Sequence, residues 1–202
     1  MTLWRGPKAL ILASQSRTRK MLLANAGIDF EVVPADIDER AIQQKSGVSA
    51  PDKIAGLLAR EKALWVAQRK AGHYVIGADQ TLALGNRLFN RPGNRAAAAE
   101  QIRALSGQTH TLYSAIAVAR DGQIVFETVA LAGMTMRSLG DADIAAYLDA
   151  AGEAVTGSVG AYQLEGLGVH LFERIEGDHS TILGLPLLPL LGFLRSQHLL
   201  AL

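Results

Sequence analysis

The sequence predicts an α/β protein in which helices flank a mixed β-sheet. Two observations favour this class. Apolar strand segments alternate with segments of helical periodicity, and from residue 73 onward pairs of strands follow one another through short turns that contain glycine. Alternation with helices favours parallel strands and short glycine turns make antiparallel hairpins, so we expect both pairings in one sheet. A ligand site is then expected beyond the carboxyl ends of the strands.

Strands and helices alternate through the first half of the chain. Ser16 is placed to cap the first turn of the first helix, and Gly27 is placed to end it. The turn that joins the first strand to this helix therefore begins at Ser14. In order, the pattern predicts a buried strand, a helix, a second strand and a long amphipathic helix, over residues 9–14, 17–27, 30–35 and 51–71.

Hairpins and further helices are predicted from residue 73 onward. A third strand is expected to end in a Gly-Ala-Asp turn, which places Asp79 at its carboxyl end. Ser138 and Asp141 match a capping box for a later helix. The predicted elements are a strand over residues 73–79, a hairpin around Gly85-Asn86, a helix over 95–105, two long strands over 109–138 joined at Asp121-Gly122, a helix over 141–152, a strand over 168–178 and an apolar C-terminal helix.

The composition is that of a globular protein, with 202 residues of which 49% are hydrophobic and 19% are charged. A formal net charge of +1 gives no global attraction to nucleic acid or anionic membranes, so any anion site must be local. The lack of cysteine excludes disulfides, thiolate catalysis and Cys-ligated zinc. Apolar runs are too short for a signal peptide or a membrane span. We expect a cytoplasmic protein with one domain or two closely joined lobes.

The first candidate site is the segment SQSRTRK, residues 14–20, at a strand-to-helix turn. It combines hydroxyl groups and free backbone N–H groups with Arg17, Arg19 and Lys20 in the first helical turn. Cations at this end oppose the helix dipole unless an anion occupies the site, so a bound phosphate would remove the conflict. A capped helix with solvated basic side chains is an equally good interpretation of these seven residues.

The second candidate is Asp79, whose carboxylate is expected to end a buried strand and is followed by Gln80 and Thr81. A desolvated carboxylate there can hold a metal ion or act as general base toward a water. The alternative is a carboxylate that only caps a turn.

Acidic and basic side chains elsewhere could complete such a site. The run ADIDER, with Asp36, Asp38 and Glu39, offers further oxygen ligands for Mg²⁺ or Mn²⁺. Lys62 would bind phosphate only if its position on the long helix is partly buried. The planar guanidinium of Arg91 presents a pair of N–H donors that suits phosphate oxygens. Each of these residues could instead lie on a solvated surface.

The glycine-rich segment GAYQLEGLG, residues 160–168, allows close approach of a ligand to the backbone, and Glu165 could accept hydrogen bonds from the edge of a nucleobase. The sequence contains no Walker A motif, no Rossmann fingerprint and no HExxH motif. The common nucleotide-binding and zinc signatures are therefore excluded.

Taken in order, these segments resemble the Maf family of nucleotide pyrophosphatases, which is related in fold to the inosine triphosphate pyrophosphatases. The resemblance extends from Leu10 to about Leu194. It rests on LILASQSRTRKMLLANAGIDFEVVPADIDE, AREKA, VIGADQTL, NRPGNRAAAAEQIRALSGQTHTLYSAIAV, GAYQLEGLG and LFERIEGDHSTILGLPL. It implies a single domain with an elongated sheet, a cleft between two lobes, a homodimer, and metal-dependent hydrolysis of nucleoside triphosphates to monophosphate and pyrophosphate.

The resemblance also implies roles for individual residues. Asp79 aligns with the proton acceptor proposed for the family, and Glu39 aligns with its acidic position after the second strand, so both are expected to hold Mg²⁺ or Mn²⁺. Substrate binding is implied for Ser14, Ser16, Arg19, Lys62, Gln80, Arg91 and Glu165. The chain departs from the family pattern at three positions. Thr18 stands where the family commonly has the first of two arginines, and Arg91 and Ser158 stand where it commonly has lysine.

Gln80 and Glu165 resemble the branch that acts on 7-methyl-GTP. The carboxylate can accept from the N1–H and N2–H₂ edge of this base and counter its positive charge. Three alternatives stay open at this point: a dTTP or UTP pyrophosphatase, a phosphatase that releases orthophosphate, and a non-catalytic nucleotide-binding regulator of cell division.

Overall fold

The computed structural model describes residues 2–202, and within them seven strands form one mixed sheet flanked by helices, as the sequence predicts. The strands are β1 (Leu10–Leu12), β2 (Phe30–Val32), β3 (Val75–Leu84), β4 (Arg87–Phe89), β5 (Thr109–Arg120), β6 (Gln123–Met136) and β7 (Phe172–Glu176). The helices are α1 (Arg17–Asn25), α2 (Glu39–Ser46), α3 (Pro51–Ala67), α4 (Arg95–Leu105), α5 (Asp141–Ala151), α6 (His179–Ile182) and α7 (Leu187–Ser196). Short 3-10 turns occupy Gly152–Thr156, Val159–Ala161 and Leu167–Leu171.

The strand order is β2-β1-β3-β5-β6-β7, and β4 pairs with β3. β1 lies parallel to both β2 and β3, because the crossovers through α1 and through α2 and α3 return the chain to the same direction. β4 is antiparallel to β3, and β7 is antiparallel to β6. The predicted mixture of parallel and antiparallel pairs is therefore confirmed.

The chain divides into two compact units. The first contains the residues up to Gln80, Ser114–Ala130 and His179–Leu202. Its core surrounds β1 and the start of β3, where Leu10, Leu12 and Ile76 are fully buried. The second contains Thr81–Tyr113 and Leu131–Asp178, and its buried side chains include Leu82, Ile102, Met134 and Leu148.

Local signals placed most elements correctly. Ser16 caps α1, since its hydroxyl accepts from the Arg19 backbone N–H, and Gly27 follows the helix in the left-handed conformation with φ of 70°. The hairpin at Gly85-Asn86 joins β3 to β4, and the turn at Asp121-Gly122 joins β5 to β6. No helix within residues 2–202 combines the length and the apolar character that crossing a bilayer requires.

Four local predictions are wrong. Asp79 does not end a strand, because β3 continues to Leu84, pairing with β1 through Ile76 and with β4 from Leu82 onward. Gly77 does not make a turn but gives α3 room against the sheet, since a Cβ there would collide with the Ala59 carbonyl oxygen.

The other three corrections concern boundaries. The acidic run is not simply a loop, since Asp38 caps the unpredicted helix α2 and Glu39 begins it. The capping pair of α5 is formed by Gly140 and Asp143, not by Ser138 and Asp141, because Asp143 accepts from the Gly140 N–H at 2.9 Å. The last strand begins four residues later than predicted, since a 3-10 turn occupies Leu167–Leu171.

Candidate active site

Asp79 lies within the first unit, three residues past the end of the parallel pairing between β3 and β1. Leu12, opposite Ile76, is the last residue of β1, and the chain then turns through Ser14 into α1. The carboxylate and the Ser14 turn therefore share the carboxyl edge of β1, even though Asp79 itself is inside a strand. This is the edge at which parallel strands are expected to present a ligand site.

Lys62 forms the closest contact of Asp79. Its Nζ lies 2.6 Å from Asp79 Oδ1 and 2.9 Å from Glu39 Oε1. The Lys62 and Asp79 side chains are only 11% and 12% exposed, whereas the Glu39 side chain is 51% exposed. The close approach of α3 to β3 at Gly77 sets this geometry, because Lys62 belongs to the turn of α3, between Ala59 and Ala63, that lies against Gly77. The partial burial that a phosphate-binding role for Lys62 requires is thus present.

The electrostatic environment of Asp79 contains opposing effects. Burial is the largest, and it raises the pKa of the carboxyl group above its ordinary value. The charges of Lys62 and Arg19 lower this pKa and offset part of the rise, while the charge of Glu39 adds to it. Asp79 is therefore a desolvated carboxyl group held among cations, and not an exposed turn residue.

Arg19 links the Ser14 turn to β3. Its Nη1 donates to Ser14 Oγ at 3.2 Å and to the Ala78 carbonyl oxygen at 2.9 Å, and its Nε donates to the Gly184 carbonyl oxygen at 2.8 Å. Ser14 is almost completely buried, and its hydroxyl also accepts from the Ser16 N–H. The structure therefore brings the three predicted residues of this turn together, next to Asp79.

Gln80 follows Asp79 on β3 and is turned toward protein acceptors. Its Nε2 donates to Ser114 Oγ at 2.7 Å and lies 3.0 and 3.2 Å from the Ile182 and Thr181 carbonyl oxygens. Sequence reasoning did not single out Ser114 or residues 181–184. These residues lie far from Gln80 in the sequence. The one local signal is Ser114, a serine at an inward-facing position of an apolar strand.

The acidic side chains near Asp79 offer two carboxylates to a divalent metal. No group of three or more His, Asp or Glu side chains among residues 2–202 is arranged to hold a metal ion. Asp38 is engaged as the cap of α2, and Asp36 forms no ion pair within the described part of the chain. Asp79 and Glu39 do face one cation, the Lys62 ammonium. Two carboxylates suit Mg²⁺, which takes its remaining ligands from water and phosphate oxygens.

Two predicted substrate contacts, Arg91 and Glu165, belong to the second unit, and both are exposed. The Arg91 guanidinium makes no hydrogen bond or ion pair with any of residues 2–202. Glu165 lies in a segment that Tyr162 anchors, since the Tyr162 hydroxyl is 2.7 Å from Nε2 of the fully buried His110. His110 was not predicted, although its inward position in the alternating strand THTLYS is a signal of burial.

Comparisons with known proteins identify what the whole chain is similar to. A family described as "Maf-like protein" matches residues 9–197. A nucleoside triphosphate pyrophosphatase from Bradyrhizobium diazoefficiens is 67% identical over 201 residues, and one from Rhodopseudomonas palustris is 64% identical over 201 residues, each covering 100% of both chains. A 7-methyl-GTP pyrophosphatase from Rhizobium etli is 54% identical over 189 residues, which cover 92% of this chain and 94% of the relative.

Proposed function

Because the chain belongs to the Maf-like protein family, we propose that it is a nucleoside triphosphate pyrophosphatase in which Asp79 is the general base. It is a hydrolase: full-length relatives with 67% and 64% identity are named nucleoside triphosphate pyrophosphatases. The reaction we propose breaks the bond between the α and β phosphates and releases monophosphate and pyrophosphate. One observation supports this role best, namely the buried Asp79 carboxylate 2.6 Å from the Lys62 ammonium and close to Arg19.

In the proposed reaction, Asp79 accepts a proton from the water that attacks the α-phosphorus. Burial suits this role, because a carboxyl group whose pKa is raised binds a proton more readily than an exposed one. No covalent enzyme intermediate is required, since positioning and charge stabilisation supply most of the catalysis of phosphoryl transfer.

The nearby basic groups are proposed to hold the triphosphate and to stabilise charge on the pyrophosphate that leaves. Lys62 is partly buried beside Asp79, so its charge acts in a region where water screens it poorly. The Ser14 and Ser16 turn and Arg19 supply further donors on the same edge of β1. Arg91, whose side chain is exposed, stays a predicted phosphate ligand, since the guanidinium fork suits phosphate oxygens.

A divalent metal fits the two carboxylates, and Glu39 and Asp79 are the residues that would hold it. When bound, Mg²⁺ or Mn²⁺ would neutralise phosphate charge and act as a Lewis acid toward the phosphate oxygens. Lys62 contacts both carboxylates and so keeps them close together.

We propose 7-methyl-GTP as the first substrate to test. The Rhizobium etli relative is named for this substrate, and Glu165 provides an exposed carboxylate for a cationic base. The dTTP or UTP preference is the alternative. The cytoplasmic location, the homodimer and the single domain with a cleft stay predictions.

Asp79→Asn tests the assignment of the base. The amide keeps the shape of the side chain and still accepts from Lys62, so the variant should bind nucleotide but lose roughly two or more decades of kcat. Both quantities are measurable, by calorimetry with a nucleotide and by pyrophosphate release. Asp52→Asn, in the same unit and with a side chain that is 40% exposed, is the matched control and should keep full activity. Near-normal turnover of Asp79→Asn would rule out Asp79 as the base.

A panel of canonical and modified triphosphates with identification of the products tests the activity itself. We expect pyrophosphate and a nucleoside monophosphate in the presence of Mg²⁺ or Mn²⁺. Release of orthophosphate would instead show a phosphatase. Tight nucleotide binding with no product would favour the non-catalytic regulator.

A further inference from the structure

The orientation of the Gln80 amide is determined by its surroundings. Two of the atoms nearest to its nitrogen are the carbonyl oxygens of Ile182 and Thr181, which can only accept hydrogen bonds. The NH₂ group must therefore face them, because an oxygen in that place would meet oxygen. A third acceptor, Ser114 Oγ, lies at 2.7 Å. An amide nitrogen carries two hydrogens, so protein oxygens already use its full donor capacity.

These contacts hold residues 181–184, which we call the bracing segment. Ser114 Oγ donates to the Thr181 carbonyl oxygen at 2.6 Å, so β5 supports the segment from a second strand. The segment ends at Gly184, whose φ of 85° favours glycine. A Cβ built at Gly184 would lie 3.4 Å from Arg19 Nη2 and 3.7 Å from Gln80 Oε1. The Gln80 and Arg19 side chains therefore converge on the same residue.

The bracing segment in turn holds Arg19. The Gly184 carbonyl oxygen accepts from Arg19 Nε at 2.8 Å, while Nη1 of the same guanidinium donates to Ser14 Oγ and to the Ala78 carbonyl oxygen. The planar guanidinium is thus held between the bracing segment on one side and the Ser14 turn and β3 on the other. Displacement of Gly184 would remove one of these supports and hold the guanidinium less firmly in its orientation.

We propose that Gln80 is a positioning residue that acts through the bracing segment on Arg19 and prepares the Ser14 turn for phosphate, and that Gln80 does not read the nucleobase. The inference rests on the proposed function, because it assigns the Ser14 turn to the triphosphate of the substrate. It replaces the substrate contact that the sequence predicts for Gln80. The physical reason is that a preorganised cation stabilises phosphate charge without reorganisation during the reaction.

The two roles predict opposite results for Gln80→Met, which keeps the length of the side chain and removes its hydrogen bonds. If Gln80 positions Arg19, the Kd for inorganic tripolyphosphate with Mg²⁺ should rise by about fivefold or more, from the loss of about one hydrogen bond. The kcat/KM values for all triphosphates should then fall by a common factor. The ratio between the two best substrates should stay within about twofold of the wild-type ratio.

Two further variants complete the test. Ser114→Ala removes a smaller part of the same support, so its tripolyphosphate Kd should rise in the same direction by a smaller factor, and it carries the test if Gln80→Met does not fold. Gln197→Met is the matched control. The Gln197 side chain is exposed after the end of α7, with its Nε2 3.5 Å from Ser196 Oγ, so loss of its amide should leave tripolyphosphate affinity unchanged.

An unchanged tripolyphosphate Kd in Gln80→Met overturns the proposal. If the substrate ratio collapses at the same time, Gln80 reads the base. If neither quantity changes, its hydrogen bonds contribute only to stability. Absence of tripolyphosphate binding to the wild-type protein also overturns the proposal. If the wild-type protein binds tripolyphosphate but releases no pyrophosphate from any nucleotide, the proposed function fails, and the affinity series still decides the role of Gln80.

Discussion

The Asp79 and Lys62 side chains are both nearly buried, and their closest atoms are 2.6 Å apart. Taking both charges out of water is costly, so such a pair contributes little to stability relative to a well-packed apolar pair. Loss of only one partner is different, because the other charge then stays buried without compensation. A residue pair of this kind is explained better by chemistry than by stability.

Lys62→Met should therefore lower both stability and activity. We expect the free energy of unfolding to fall by about 3 kcal/mol, because Asp79 loses its closest counter-charge. We also expect kcat/KM to fall by roughly two decades through the loss of a phosphate-stabilising charge. Urea unfolding and pyrophosphate release measure the two effects.

Lys53→Met provides the control at a lysine that is 74% exposed and 3.7 Å from Asp52. Its effect on unfolding should stay within about 0.5 kcal/mol, as for other exposed ion pairs. Equal stabilities of the two variants would contradict the account of Lys62.

At the scale of elements, the contact between α3 and β3 places Lys62 over Asp79. The contact is made by small residues, since Ala59 and Ala63 are fully buried and face Gly77. A Cβ at Gly77 would collide with the Ala59 carbonyl oxygen and lie 2.6 Å from the Ala63 nitrogen. Backbone atoms on both sides leave no flexible group to move aside, so the whole helix would have to shift.

Gly77→Ala should separate α3 from the sheet. We expect an overpacking cost of about 2 kcal/mol in unfolding free energy. We also expect a loss of activity, because Lys62 moves together with its helix. Urea unfolding combined with kcat/KM tests both parts.

Gly56→Ala is the control, a glycine-to-alanine change on α3 at a position with space for the methyl group. The nearest atom to an added Cβ there is Val129 Cγ2 at 3.8 Å. This variant should gain about 0.5–1 kcal/mol from the higher helix propensity of alanine. Wild-type activity and stability in Gly77→Ala would show that the close approach does not position Lys62.

At the scale of the whole molecule, the two compact units carry different kinds of buried polar group. In the first unit, Asp79, Ser14 and Ser114 are hydrogen-bonded or charge-paired around the proposed site. In the second unit, His110 is fully buried and its Nδ1 has no partner among residues 2–202. Burial lowers the pKa of His110 to about 4.

This shift predicts an acid-sensitive second unit. Unfolded His110 binds a proton near its ordinary pKa of 6.5, whereas the folded residue binds one only near 4. The free energy of unfolding is therefore unaffected by protonation of His110 above pH 6.5. It falls as the pH drops from 6.5 toward 4, because the unfolded state binds more protons than the folded state in this range. Between pH 7 and pH 4.5 the loss should be about 2–3 kcal/mol.

Urea unfolding of the wild-type protein and of His110→Gln at the two pH values isolates this contribution. The variant lacks the titrating group, so the wild-type protein should lose about 2–3 kcal/mol more than the variant on acidification. Equal losses would mean that His110 titrates alike in the folded and unfolded states.

The fold was largely predictable from the sequence, because local signals determine most elements. The periodicity of 51–71, the Ser16 cap and the Asp121-Gly122 turn each act over a few residues. Helix α2 was missed because Asp38 and Glu39 suggested a solvated loop or metal ligands rather than a cap and a first turn.

The sequence by itself determined the mixed sheet, the family and the turn around Ser14, because these depend on the order of neighbouring residues. Only the tertiary structure decided that Lys62 lies between Asp79 and Glu39, and that the Gln80 amide is taken up by Ser114, Thr181 and Ile182. Such contacts join residues up to 102 positions apart. These contacts form only when whole elements pack together. Gly77 is an example, because the local sequence does not show whether this glycine makes a turn or allows α3 to pack closely against β3.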